Sequence, residues 1–405
     1  MSYRRKHNAS VKGIVLVPRK KQTISSMDNP LLIGVTCGGA FLLAFLLFNH
    51  PSRSNTAANR WLGFFVATFA CAMLEVFLHN LSLHVLYPAA FAFIEAVRFL
   101  SAPTLYLSIL VFTTPTKKFR ARELWHFAPF ALWLLFQLAN VWRGENLRFE
   151  SELLQNAFLS VVRLSVPFQT VAYLVLCFRR LRQHRLNIEK VASATEAVDL
   201  SWLRHFLLAL VVVVLVWFNL AFFNFKQLFS LTPFLYLTGL YSLAFFSLRQ
   251  KEIFAFAPAQ LAELKPVIEP VSERDEKQKR LSESMMQSLQ LRLEQEMQYE
   301  KAFLENELSL PVLAQKVGVS AHELSYLINQ VYGENFYAFV NRHRVEEAKR
   351  LLSSPEADKL NMLGIAYQAG FNSKTTFNTA FKKHTGLSPT EYGKQARPRQ
   401  QAKNA

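Results

Sequence analysis

LLALVVVVLVWFNLAFF, residues 207–223, contains one amide side chain, Asn219, and no charge. A helix on the surface of a water-soluble domain carries a polar stripe at a period of 3.6 residues, and this stretch has none. Runs of the same character lie at roughly 31–48, 61–79, 88–112, 125–142, 154–178, 203–224 and 229–248. Most are long enough to cross about 30 Å of hydrocarbon at roughly 1.5 Å per residue. Across its 405 residues the chain is 51% hydrophobic with 36 phenylalanines, and most of that excess falls between residues 31 and 250. Seven membrane-crossing helices are therefore expected; a set of buried core helices is the alternative, and the missing polar stripes weigh against it.

Charge in the connections sets an orientation, because Lys and Arg are retained on the cytoplasmic side. The first, third and fifth connections hold Arg53 and Arg60; Lys117, Lys118, Arg120 and Arg122; and Arg179, Arg180, Arg182, Arg185, Lys190 and Arg204. The even connections hold only Arg143, Arg148 and Lys226. With an odd number of crossings, the first helix starts outside and everything after Arg249 is cytoplasmic. The leader 1–26, which carries seven Lys and Arg, conflicts with this placement. Met27, just before the first apolar run, is the expected natural start; a disordered basic tail overruled by the later loops is the other reading.

The formal charge of +17 fits cytoplasmic loops or a nucleic-acid partner equally well. Cys37, Cys71 and Cys177 sit singly in apolar runs and imply neither a disulfide framework nor a metal knuckle. Four ionisable residues inside the apolar runs, Glu75, Glu95, Arg98 and Arg163, are costly there and should face the bundle interior or water. Glu95 and Arg98, three apart, share a helix face. They read either as a structural ion pair or as part of a pocket for a polar or charged signal.

After Arg249 the composition changes. FAFAPAQLAELKPVIEPVSERDEKQKR reads as a linker, with Pro258, Pro266 and Pro270 expected to break helices. A helical stripe follows at Met286, Leu289, Leu293 and Met297, expected to open the next domain, with a short dimerising coiled coil as its alternative. In LSLPVLAQKVGVSAHELSYLINQVYG, residues 308–333, a short apolar helix turns at Gly318, and Ser320 caps a second helix. Leu324, Leu327, Ile328 and Val331 fall on its core face, while His322, Ser325, Tyr326 and Asn329 repeat that spacing on another. Such a helix suits a major groove. Tyr326 either touches DNA or packs, and Asn329 either touches DNA or caps the loop at Gly333.

GIAYQAGFNSKTTFNTAFKKHTGLSP, residues 364–389, repeats the arrangement: a corner at Gly370, an N-cap at Ser373, and a core stripe of Phe377, Ala380 and Phe381. Its outward set is Lys374, Thr375, Thr376, Asn378, Thr379, Lys382 and Lys383. Between the units FYAFVNRHRVEEAKRLL, 336–352, reads as a rigid helical connector. One chain could then reach two successive major-groove segments, about 34 Å apart.

Ile365, Ala366, Gly370, Phe371, Ser373, Phe377, Phe381, Lys382, Gly386, Ser388, Pro389 and Tyr392 together resemble the signature of the arabinose-regulator (AraC-type) transcription factors. The resemblance covers about residues 285–395. It implies a double helix-turn-helix domain whose reading positions match His322, Ser325, Tyr326 and Asn329 in the first unit and Lys374, Thr375, Thr376 and Thr379 in the second. Many members place Arg or Gln at several of these positions; here the first reading helix has neither Arg nor Lys on its outer face.

The expected fold is all-α: a basic leader over 1–30, a seven-transmembrane-helix bundle over 31–250, a linker over 251–280, a cytoplasmic double helix-turn-helix DNA-binding domain over 281–396 and a basic tail over 397–405. The expected function is a one-component transcriptional regulator of the bacterial inner membrane. Its partners would be double-stranded DNA, membrane lipid, an envelope or small-molecule signal, a second copy of the chain as a homodimer, and RNA polymerase if it activates. No cofactor is expected. A sensor enzyme would need a Gly-rich nucleotide loop and a phosphoacceptor His, and the glycines after residue 251 are scattered corners. A seven-helix receptor carrying a protein-interaction adapter is the remaining alternative. The signal is expected to pass from the seventh helix through the linker.

Overall fold

A computed structural model describes residues 30–50, 54–83, 86–114, 121–143, 151–196, 198–223, 225, 232–268, 282–355 and 359–401. The leader with its Met27, and the mixed-charge cluster after Pro270, lie outside them. Among the described residues the secondary structure is helical, with one isolated antiparallel bridge, Ala192 to Ser309.

The apolar half forms α1 (Pro30–Phe48), α2 (Thr56–Asn80), α3 (Pro88–Phe112), α4 (Ala128–Arg143), α5 (Glu152–Ile188), α6 (Ser201–Phe222) and α7 (Thr232–Arg249), matching the seven apolar runs in order. Five of these, α1, α2, α3, α5 and α6, are long and apolar enough to cross a membrane by length and composition. The other two fall short of that measure: α4 has only 16 residues, and α7, at 18 residues, carries Thr, Tyr and Ser positions that dilute its hydropathy. Neighbouring helices pack through small residues. A side chain at Gly63 on α2 would press on the Ala44 carbonyl and Leu47 of α1, at 3.3 and 3.4 Å. The outer faces remain apolar: Leu42, Phe45, Leu132, Leu135, Leu215 and Phe245 are all exposed.

Two expectations are corrected. The fifth run was expected to end near residue 178, yet α5 continues to Ile188 as one 37-residue helix, roughly 55 Å long, so it outreaches a bilayer's hydrocarbon by about 25 Å. Its basic residues Arg179 to Arg185 are therefore helical. The connector was expected to be irregular, yet α8 (Pro258–Ile268) spans both Pro258 and Pro266. Pro258 occupies the first position, where a missing N–H costs nothing. Pro266 is tolerated because Leu264, Val267 and Ile268 are buried in the core shared with the C-terminal domain, which outweighs one lost backbone bond.

The polar half comprises α9 (Glu283–Gln298), α10 (Leu310–Val317), α11 (Ala321–Leu327, extended by a π turn Ile328–Tyr332), α12 (Phe336–Leu352), α13 (Met362–Gln368), α14 (Lys374–Thr385) and α15 (Pro389–Gln401). Leu289, Leu293 and Met297 on α9 are buried, as the stripe predicts. Asn335 caps α12 and Asn361 caps α13, each side chain accepting from a backbone N–H.

Candidate nucleic-acid interface and helix-bundle cavity

Each reading helix is placed by a left-handed corner, a cap and an apolar stripe. In the first unit Gly318 has φ 76°, a value that costs glycine nothing. The Ser320 hydroxyl then accepts from the Glu323 N–H, and the Glu323 carboxylate accepts from the Ser320 N–H at 2.9 Å, completing a capping box. Leu324, Leu327 and Ile328 are buried, while Val331 of the expected core stripe is 38% exposed. The π turn widens the helix there, so the fourth stripe position rotates off the core.

His322, Ser325 and Tyr326 are half-buried, and Asn329 is exposed. The Asn329 amide donates to the Ser325 carbonyl at 2.8 Å, and the Gly333 N–H to the Asn329 carbonyl at 3.1 Å. The bond to Gly333 uses the Asn329 backbone carbonyl, while its side chain is turned back along the helix to Ser325. Linker helix α8 packs on α11.

In the second unit Gly370 turns the chain at φ 90°, and the Ser373 hydroxyl accepts from the Thr376 N–H at 3.1 Å to start α14. Phe371, Phe377 and Phe381 are fully buried and touch in series, with ring centroids 5.3 and 5.6 Å apart. Burying each is worth about 1.5–3 kcal/mol, which pins the helix's rotation. Lys374, Thr375, Thr379, Lys382 and Lys383 are consequently exposed. Thr376 is the exception: it is buried beside Tyr337.

Connector α12 carries a residue that sequence reasoning passed over. Arg344 is 1% exposed, and its guanidinium donates to the carbonyls of Phe303 and Glu305 at 2.8 and 2.7 Å and to the Ser193 hydroxyl at 3.0 Å. Burial lowers its pKa to about 10, so it is cationic at neutral pH. Charge-assisted bonds of this kind offset the cost of burying it.

In the apolar half, Arg98 pairs with Glu75 at 2.5 Å, joining α3 to α2. Glu95, on the same face as Arg98, instead accepts from Gln137 of α4 at 3.5 Å. Arg163 lies on α5, and its side chain is outside the described residues. Glu95 and Arg98 line a cavity of about 840 Å³ between α2, α3, α4, α5, α6 and α7. Trp133 also lines it, with a buried indole N–H that lacks an acceptor among the described residues. Phe65, Leu105, Leu174 and Phe206 line it as well, so much of its wall is apolar.

Residues 313–395 match the model of a helix-turn-helix domain family. The arabinose operon regulatory protein of Escherichia coli is 28% identical over 28% of this chain and 38% of its own length. The transcriptional activator AarP of Providencia stuartii is 30% identical over 22% of this chain and 64% of its own. The C-terminal part of this chain carries a helix-turn-helix domain similar to those of AraC-type regulators. Among solved structures, the C-terminal domain of AraT, a response regulator from Geobacillus stearothermophilus, is 31% identical over 29% of this chain and 89% of that one, with a TM-score of 0.23. The chain spans less than two thirds of the length of the curated relatives named here, and these likenesses lie in the C-terminal domain. The family match and the curated relatives support a DNA-binding transcriptional regulator.

Proposed function

We propose that this protein is a membrane-embedded one-component regulator, in which a seven-helix bundle senses a signal and an AraC-type domain on the cytoplasmic side reads double-stranded DNA. The observation that carries this reading is the continuity of two opposite surfaces in one chain. Helices α1 to α7 present apolar side chains outward, Leu132 at 69% and Leu215 at 61% exposure among them, which water would penalise and lipid accepts. Beyond the linker that follows Arg249 the same chain enters a domain whose reading helices expose Lys, Thr and Asn.

Lys374, Thr375, Thr379, Lys382 and Lys383 are the residues through which the second unit meets bases and phosphates, with His322, Ser325 and Tyr326 in the first. A homodimer and, for activation, RNA polymerase are partners consistent with this reading. The cavity is the favoured sensing site. Its polar groups, Glu95, Arg98 and the Trp133 N–H, in a largely apolar wall suit a molecule with a hydrophobic body and a hydrogen-bonding head.

The test is a genome-wide occupancy map of the full-length protein in its native membrane beside a His322→Ala, Lys374→Ala, Thr375→Ala variant. Discrete peaks that vanish in the variant are expected. Absence of peaks at good expression under several growth conditions would reject DNA reading in favour of a protein-interaction adapter.

A further inference from the structure

The connection between α5 and α6, residues 189–200, carries no motif, yet it is where the apolar half and the DNA-binding domain meet. At one edge Ala192 bridges Ser309 in antiparallel fashion: the Ser193 N–H donates to the Leu308 carbonyl at 3.1 Å and the Leu310 N–H to the Val191 carbonyl at 2.9 Å. The Ser193 hydroxyl donates to the same Leu308 carbonyl at 2.7 Å while accepting from Arg344. The Tyr337 N–H donates to the Glu189 carbonyl at 3.0 Å, so connector helix α12 is held at its first turn as well. At the far edge the Ser373 hydroxyl donates to the Glu196 carboxylate at 2.6 Å.

That last contact falls on the second reading helix at its cap. In a helix-turn-helix complex the first residues of the reading helix enter the groove and approach the phosphates. Here the position is taken by a carboxylate, and Tyr337 close by has its pKa raised by burial and then by Glu196 and Glu189. DNA carries one negative charge per roughly 1.7 Å of axis, so a duplex on α14 would meet Glu196 with the same sign of charge. The first reading helix is engaged too, since α8 packs on α11 and shares its core.

We propose that residues 189–196 form a dock for the DNA-binding domain, with Glu196 standing in for DNA phosphate at the cap of α14, and that DNA binding requires release from this dock. The proposal rests on the DNA-reading function given above. The dock is rooted in the protruding end of α5, which lines the cavity through Val166, Thr170, Tyr173 and Cys177. A ligand that shifts α5 therefore moves the dock directly, a route additional to the seventh helix and linker. Release is cheap in polar terms: the bonds lost are to Ser193, Glu189, Val191, Leu308 and Glu196, whose groups water can satisfy. Arg344 keeps the Phe303 and Glu305 carbonyls of its own domain.

The test uses the full chain in lipid nanodiscs, with Cys37, Cys71 and Cys177 replaced by alanine and with Ala192→Cys and Ser309→Cys. The flanking bonds make this a non-hydrogen-bonded antiparallel pair, for which Cα atoms lie about 4.5 Å apart, inside the range a disulfide spans. Binding to a random-sequence duplex pool is measured oxidised and after reduction. The oxidised, docked form is expected to bind at least about tenfold more weakly, with recovery on reduction, because apparent affinity scales with the competent fraction. Equal binding in the two states overturns the proposal.

A second measurement avoids the crosslink: Glu196→Ala in the otherwise native chain is expected to bind the same pool several-fold more tightly, and unchanged or weaker binding removes Glu196 as a competitor of DNA. If no form binds DNA while the protein is folded, the DNA-reading function falls, and the dock falls with it.

Discussion

Gly370 is where backbone conformation and packing both exclude a side chain. Its φ of 90° lies where L residues are strained, and a Cβ would come within 2.6 Å of the Phe303 carbonyl oxygen and 3.1 Å of the Arg344 Nε. Gly370→Ala is expected to destabilise the DNA-binding domain by about 2–4 kcal/mol, since neither a peptide carbonyl nor a pinned guanidinium can move aside. Faster amide hydrogen exchange across residues 360–395 of the full chain would report it. The glycine was legible in the sequence as a corner; that it also abuts residues 303 and 304 was not, because those residues are 66 and more positions away.

His343 makes a pH prediction at the same scale. It packs between Phe303 and Phe339, and burial, then Arg342 beside it, lower its pKa to about 4 from an ordinary 6.5. Between those values the unfolded chain holds a proton that the folded chain does not, so stability is full above pH 6.5 and falls as the pH drops toward 4. The loss is at most about 3 kcal/mol. His343→Phe should flatten the profile over that window in thermal unfolding of the full chain, and an unchanged slope would contradict the assignment.

Among elements, the caps and the connector decide how the reading helices are presented. Ser320→Ala removes the hydroxyl that accepts from the Glu323 N–H while leaving the backbone half of the capping box, and should cost about 1 kcal/mol, read as loss of protection in residues 321–332 by hydrogen exchange. Connector α12, 17 residues and so roughly 25 Å long, separates the two units by its length. Its span, Phe336–Leu352, coincides with the stretch expected from sequence, because an Asn cap, continuous helix formers and one apolar stripe agree on the same boundaries. At α8 the local signals pointed the wrong way. Prolines there gave a breaker signal, and apolar burial against the C-terminal domain overrode it.

For the whole molecule, the proposed seven-crossing topology assigns each connection a side of the membrane. A cysteine at position 146, introduced as Asn146→Cys in the fourth connection, should react with a membrane-impermeant maleimide in intact cells, whereas Arg182→Cys should react only after permeabilisation. The reverse pattern would invert the bundle and put the DNA-binding domain on the wrong side for its function.

Periodicity, caps and corners are local, and they determined most of the helices, α8 and the far end of α5 apart, the two helix-turn-helix units and the stripe that buries Phe377 and Phe381. Charge counts in the loops, equally local, yielded the expected orientation. What only the tertiary structure decided are pairings between distant residues: Arg98 with Glu75 rather than Glu95, Arg344 with Ser193 across 151 positions, and Ser373 with Glu196 across 177. No pattern in residues 189–196 announces a dock, since Ser, Glu and a bare backbone edge acquire meaning only from what folds against them. Long-range packing chooses among many polar partners of similar intrinsic strength, and that choice is made by shape and burial rather than by residue type.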